Sequence, residues 1–175
     1  MNKILSLLAL AATGSSAMAQ SPVPTFTAQD KLDAASYYHI RFKNGSVELV
    51  DKGVNAKIST DYGNDASAQL FALIGTRQSF VLRSKNGNYI GFQGDRLTSV
   101  KEATQALQLT LLNSPVFGEG YYVISRVDDQ KNSFNPHGGT GVGKQIGFWE
   151  NADANNSLYF PLPEDVPTPT YSAYR

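Results

Sequence analysis

Across residues 37–160 apolar and polar positions alternate in short runs, and turn-forming residues break the runs at close intervals. The runs Tyr37-Tyr38-His39-Ile40-Arg41-Phe42, Ser79-Phe80-Val81-Leu82-Arg83-Ser84 and Gly120-Tyr121-Tyr122-Val123-Ile124-Ser125-Arg126 are rich in β-branched and aromatic residues. Their two-residue period is that of a strand buried on one face. Residues 105–112 (QALQLTLL) alternate in the same way and read as strand. No long run carries apolar residues at helical spacing, so the pattern predicts an all-β chain.

The runs are organised in three similar pieces. The first two continue through Lys43-Asn44-Gly45 and Lys85-Asn86-Gly87, and the third turns through residues 127–131. Asn-Gly is the strongest short hairpin signal, because both central residues of a type I′ turn need positive φ. Each piece also closes alike. Gln69, Gln105 and Asn156 are followed two residues on by Phe71, Leu107 and Leu158, and two further on by Leu73, Leu109 and Phe160. Residues two apart on a strand share a face, so each closing segment presents a pair of large apolar side chains to one side. One such piece cannot bury its apolar face alone. Three pieces of about four short strands each predict a β-trefoil, a six-stranded barrel capped by three hairpins, over residues 37–162. Closing the barrel also removes open sheet edges.

The ends of the chain differ from this pattern. Lys3, the apolar run of residues 4–12 and the Ala17-Met18-Ala19 cleavage site predict a signal peptide over residues 1–19, and so a secreted or periplasmic protein. Residues 20–36 read as a leader, with 28–36 forming one helical turn or a short approach to the first strand. Prolines at 161, 163, 167 and 169 predict an extended tail or linker over 163–175. The apolar run at the start is too short to span a bilayer, and no other stretch comes close, so no membrane insertion is expected. With 15 basic and 15 acidic residues there is no basic stripe to suit nucleic acid. The chain has no Cys, which removes thiol chemistry and disulfides and leaves the core to hold the fold.

Candidate chemistry gathers in residues 132–160. This stretch holds the single Trp, Trp149, one of two His, His137, and the densest glycine cluster. Glycines let a backbone turn sharply and approach a neighbour closely. An aromatic face beside amide side chains suits a sugar, whose C–H face stacks on a ring while its hydroxyls pair with groups that both donate and accept. The alternative is a Trp that plugs the core under the loop. No G-x-S-x-G, H-E-x-x-H or P-loop motif is present. The pairs Asp128-Asp129 and Glu164-Asp165 fall in turn or tail positions, whereas glycosidase chemistry needs two carboxylates facing across a cleft. No enzyme activity and no cofactor are expected.

The third piece, S-F-N-P-H-G-G-T-G-V-G-K-Q-I-G-F-W-E-N-A-D-A-N-N-S-L-Y-F, resembles the repeat of ricin-type β-trefoil lectins. That repeat has a D-V-x-G-G step, a G-x-x-V-Q-L-W strand and an A-N-Q-x-W-x-F closing segment. The resemblance implies a carbohydrate site in this piece. Asn135 stands at the Asp position, Gly147 at the Gln position, Trp149 at the aromatic, Asn155 at the Asn and Asn156 at the Gln. His137, beside Asn135, is a further hydroxyl partner. The candidate carbohydrate-binding residues are therefore Asn135, His137, Trp149, Asn155 and Asn156. The first piece offers Asp61 and Tyr62 before Gln69, and the second only Asp95. The opening Y-Y-x-I-R-F-K-N-G is similar to that of N-terminal trefoil modules in secreted glycan-processing proteins of Bacteroidetes. This likeness implies a weak glycan-binding module accessory to a catalytic domain. The alternative is a non-binding trefoil that packs on such a partner, with Trp149 buried by Ile146, Phe148 and Leu158.

Overall fold

The computed structural model describes residues 37–161 except residue 65. The expected signal peptide, the leader and the Pro-rich tail lie outside the described residues. Twelve strands run in three sets of four. The first set is β1 (Arg41–Phe42), β2 (Val47–Val50), β3 (Ser59–Tyr62) and β4 (Phe71–Thr76). The second is β5 (Ser79–Ser84), β6 (Tyr89–Gln93), β7 (Arg96–Val100) and β8 (Leu109–Ser114). The third is β9 (Gly118–Arg126), β10 (Asp129–Pro136), β11 (Ile146–Glu150) and β12 (Leu158–Tyr159). The sets coincide with the three pieces read from the sequence.

Six strands form a ring. β1 pairs with β12, β12 with β9, β9 with β8, β8 with β5 and β5 with β4, all antiparallel. An isolated bridge between Tyr38 and Phe71 returns β4 to the chain just before β1, with N–O distances of 2.8 and 2.9 Å. The ring therefore has no free edge. The other six strands make the hairpins β2–β3, β6–β7 and β10–β11. These hairpins are tied to one another. Ile58 N–H donates to the carbonyl of Leu97 at 3.0 Å, and Gly143 N–H donates to that of Thr60 at 2.7 Å. A barrel with a cap of three hairpins is the β-trefoil.

The core lies where all three repeats meet. Phe42, Phe71, Phe80, Phe134 and Phe160 are among its largest fully buried side chains. Leu73, Leu109 and Leu158 from the closing segments join the same cluster, and Leu107 packs against it. Each closing amide ends a single 3-10 turn: Ser67–Gln69, Ala103–Gln105 and Ala154–Asn156. Gln69 accepts from the N–H of Asn64 at 2.8 Å and donates to the Tyr62 carbonyl at 2.9 Å. Gln105 accepts from the N–H of Glu102 at 3.2 Å. The recurrent amide is thus a backbone clamp. It satisfies loop groups that would otherwise lack partners, and it fixes the turn that sends the next two apolar residues inward.

The hairpin turns differ from the expected type. Positive φ falls on Gly45, Ser46 and Gly87, but not on Asn44 or Asn86. In the second repeat Gly87 N–H donates to Ser84 O, and Ser84 N–H to Asn88 O, both at 2.8 Å. This is a three-residue loop, a type I turn closed by a left-handed glycine, in place of type I′. The extra residue comes from the lysine, which enters the turn with the Asn-Gly pair.

Two buried polar groups are paired within the frame. Glu48 is fully buried, takes Arg41 Nε and Nη2 at 3.0 and 2.8 Å on one oxygen, and meets His39 Nδ1 at 2.7 Å on the other. Burial works against the Arg41 charge. Hydrogen bonds to Tyr159 and Glu48 outweigh it, so its pKa is raised. Asp51 is also buried. Burial would raise its pKa, but hydrogen bonds from Ser84, the Gly53 N–H and Asn88 bring it below the ordinary carboxylate value.

Candidate functional site

Trp149 is on β11, opposite Ser133 of β10, and 57% of its surface is exposed. It does not plug the core. That place is taken by Ile146, which is fully buried, and Phe148, which packs on Phe134 and Phe92 with ring centroids 5.6 and 5.4 Å apart. Beside Trp149 a depression of about 320 Å³ is walled by Asn135, His137, Gly147 and Phe148 from the third repeat. Phe92, Asp95 and Arg96 of the β6–β7 hairpin form its other wall. The site therefore straddles two repeats.

The glycine-rich loop between β10 and β11 holds this shape. His137 N–H donates to the Gln145 carbonyl at 2.8 Å, and Gly139 N–H to that of Pro136 at 3.2 Å. Thr60 of the first repeat then clasps the loop. Its hydroxyl donates to Gly141 O at 2.5 Å and accepts from the Lys144 N–H at 2.9 Å. Gly143, at φ +78°, makes the close approach to Thr60 O in a conformation that side chains other than glycine rarely adopt.

The five residues singled out from the sequence divide into two groups. Asn135, His137 and Trp149 line one depression. Asn135 donates its amide to Asn156 Oδ1 at 2.7 Å and lies 3.5 Å from Asp153 Oδ2. Its own Oδ1 takes no hydrogen bond from the described residues. Asn155 and Asn156 face other tasks. Asn156 is fully buried, and its NH₂ donates to the carbonyls of Trp149 and Glu150 at 2.9 and 3.1 Å and to Ser133 Oγ at 2.9 Å. It fixes the backbone that carries Trp149 and orients Asn135. Asn155 accepts from Asn44 Nδ2 at 3.0 Å, a bond to the first repeat's turn, while its N–H is held by Asp153 at 2.9 Å. Asn155 and Trp149 do not converge.

Sequence reading missed the second repeat's share. Phe92 and Arg96 carry no signature of their own, and Asp95 stood out only as a lone acid. Gly147 is what admits them. A Cβ there would lie 3.2 Å from the Asp95 carbonyl and 3.4 Å from Arg96 Nη1. Arg126 backs the same wall from outside, its guanidinium 5.4 Å from the Phe92 ring and 5.9 Å from the Phe148 ring. Among the described residues no group of three His, Cys, Asp or Glu side chains could hold a metal ion, and no helix is long and apolar enough to cross a membrane.

The architecture defines a β-trefoil of the kind found in ricin B-like lectins. The chain is similar in structure to the Macrolepiota procera ricin B-like lectin solved with lactose, at a TM-score of 0.63 and 17% identity over 77% of this chain and 100% of that one. It is also similar to ThreeFoil, a designed three-fold symmetric protein, at 0.58 and 13% over 71% and 96% of the two chains. A third likeness is to a GlcNAcα1-4Gal-releasing endo-β-galactosidase from Clostridium perfringens, at 0.57 and 18%. There the match spans 73% of this chain but 33% of the other. No family model matches the chain, and no curated protein matches it.

Proposed function

We propose that the chain is a glycan-binding module whose site is the Trp149 depression of the third repeat. The observation that carries this reading is the exposure of Trp149 beside Asn135 and His137 on a clamped frame. Trp149 supplies the stacking face, and Asn135 Oδ1 and the His137 ring supply hydroxyl partners. Asn156 positions both Trp149 and Asn135 without reaching the ligand. The depression is small and open, which suits one or two sugar rings and an affinity for free sugar of roughly millimolar order. Such a site gains from being tethered beside a second one or beside a catalytic domain, through effective concentration.

The trefoil's likeness to one third of an endo-β-galactosidase, and to a lectin solved with lactose, supports a role accessory to glycan breakdown. The module itself binds and does not cleave. A second reading, a trefoil that only packs on a partner domain, draws on the half-buried aromatic face of Phe117, Tyr121 and Tyr159. Lys43 Nζ lies 4.5 Å from the Phe117 ring there, and Tyr121 lies between the other two rings. Glycan-array binding of the chain, repeated with Trp149→Ala, decides between them. Signal on defined glycans that disappears in the variant supports the binding module. A chain that ignores every glycan overturns it.

A further inference from the structure

We propose that the Trp149 depression selects glycans bearing a carboxylate, such as a uronic acid, and that Arg96 is the residue that reads the acid. The inference rests on the glycan-binding reading of the same site. Arg96 begins β7 and reaches from the second repeat across β11, where its guanidinium lies beside the bare backbone of Gly147. It is the fixed cation of the depression's lining, and a guanidinium only donates.

The arrangement of its hydrogen bonds points to what it can accept. Asp95 engages Nη1 alone, through the backbone carbonyl at 2.9 Å and Oδ2 at 3.0 Å. Nε is shut off from solvent and meets no acceptor among the described residues. A buried N–H of a cation without an acceptor is costly to leave unmade. The Nε–Nη2 edge of a guanidinium matches the two oxygens of a carboxylate in parallel bonds, which a hydroxyl cannot reproduce. Asp95 does not cancel the charge. Its carboxylate is 85% exposed against 16% for Arg96, so water screens the acid's side of the pair and leaves part of the Arg96 charge unmatched. Nη1 is the atom beside Gly147, so seating an acid requires the guanidinium to rotate and bring its Nε–Nη2 edge to the depression. The missing side chain at 147 leaves room for that rotation about Nη1, which Asp95 holds.

The test uses Trp149 emission of the full chain, titrated with matched methyl glycosides: galacturonide against galactoside, and glucuronide against glucoside. We expect one uronide to bind about tenfold more tightly than its neutral partner, the scale of a charge-assisted bidentate contact. Arg96→Gln should bring acid and neutral sugar to the same affinity. Arg96→Lys, which keeps the charge without the fork, should recover only part of the preference. Equal binding of both members of each pair by the unaltered chain overturns the inference and leaves the glycan-binding reading standing. So does a preference that survives in Arg96→Gln. If neither sugar type moves the emission, the reading of the site fails and the inference falls with it. The comparison within the unaltered chain holds even if the variants fail to fold.

Discussion

The first and third repeats apply one frame to different ends. In both, a closing amide clamps the carbonyl of an exposed aromatic residue seven positions earlier: Gln69 to Tyr62 at 2.9 Å, and Asn156 to Trp149 at 2.9 Å. Both aromatics stand in solvent, Tyr62 66% exposed and Trp149 57%. What lies behind them differs. Next to Tyr62, Gly63 passes directly over a buried ionic cluster, and a Cβ there would lie 2.5 Å from Glu48 Oε2 and 2.9 Å from Arg41 Nη2. On the strand that carries Trp149, the neighbouring Phe148 packs on Phe92 and Phe134, and a depression lies beside Trp149. The first repeat spends its polar residues on holding the fold, and the third leaves Asn135 and His137 at the surface. An exposed aromatic on the trefoil frame is therefore common to both, and its neighbours decide whether it marks a site.

The largest expected effect breaks the first repeat's half of this comparison. Glu48→Ala leaves two nitrogen-bearing side chains facing a void in the interior. It should cost about 3 kcal/mol or more, read as the shift in urea midpoint. Asn156→Ala comes next. It strips the hydrogen bonds from the Trp149 and Glu150 carbonyls, so about 2 kcal/mol of stability should go along with most glycan binding. Trp149→Ala and Tyr62→Ala then separate frame from site. Both should fold with stability changed by less than about 0.5 kcal/mol, as for exposed positions. Trp149→Ala should lose glycan binding more than about tenfold, while Tyr62→Ala keeps it, as read by glycan-array signal.

Smaller effects sharpen the picture. Asn155→Ala removes only the contact to Asn44 and should cost about 1 kcal/mol at most, with binding at Trp149 nearly unchanged on the array. A large loss of binding in that variant would return Asn155 to the site. Asp51 sets the acid side of the stability curve. Its folded pKa lies below its unfolded value, so its contribution is complete above the ordinary carboxylate range. That contribution is lost as pH falls through that range toward the depressed folded value. Asp51→Asn should flatten the acid limb of stability against pH.

Much of the fold could be read from the chain because it is written three times. Amide followed by two spaced apolar residues reports a clamp and a core contact together, and both recur at Gln69, Gln105 and Asn156. The turns were only half legible. Asn-Gly announces a hairpin, but whether the lysine before it joins the loop is decided by the pairing of Ser84 with Asn88. At the site, Trp149, Asn135 and His137 come from one stretch and could be found together. Asn155 and Asn156 were visible as an adjacent pair, yet successive residues of a 3-10 turn point different ways, one to Asn44 and one inward. Phe92 and Arg96 could not be found at all. They reach Trp149 only because the β6–β7 hairpin packs on β11, a contact between repeats that leaves no local pattern.

The central claim is that Trp149 is an open platform for a glycan, and its own fluorescence tests this most directly. There is one Trp in the chain, so the signal has a single source. The account predicts a red-shifted emission, readily quenched by acrylamide, that shifts or quenches on titration with at least one glycan of a broad panel. An emission that is blue-shifted and protected from quencher, and indifferent to every glycan, would contradict it.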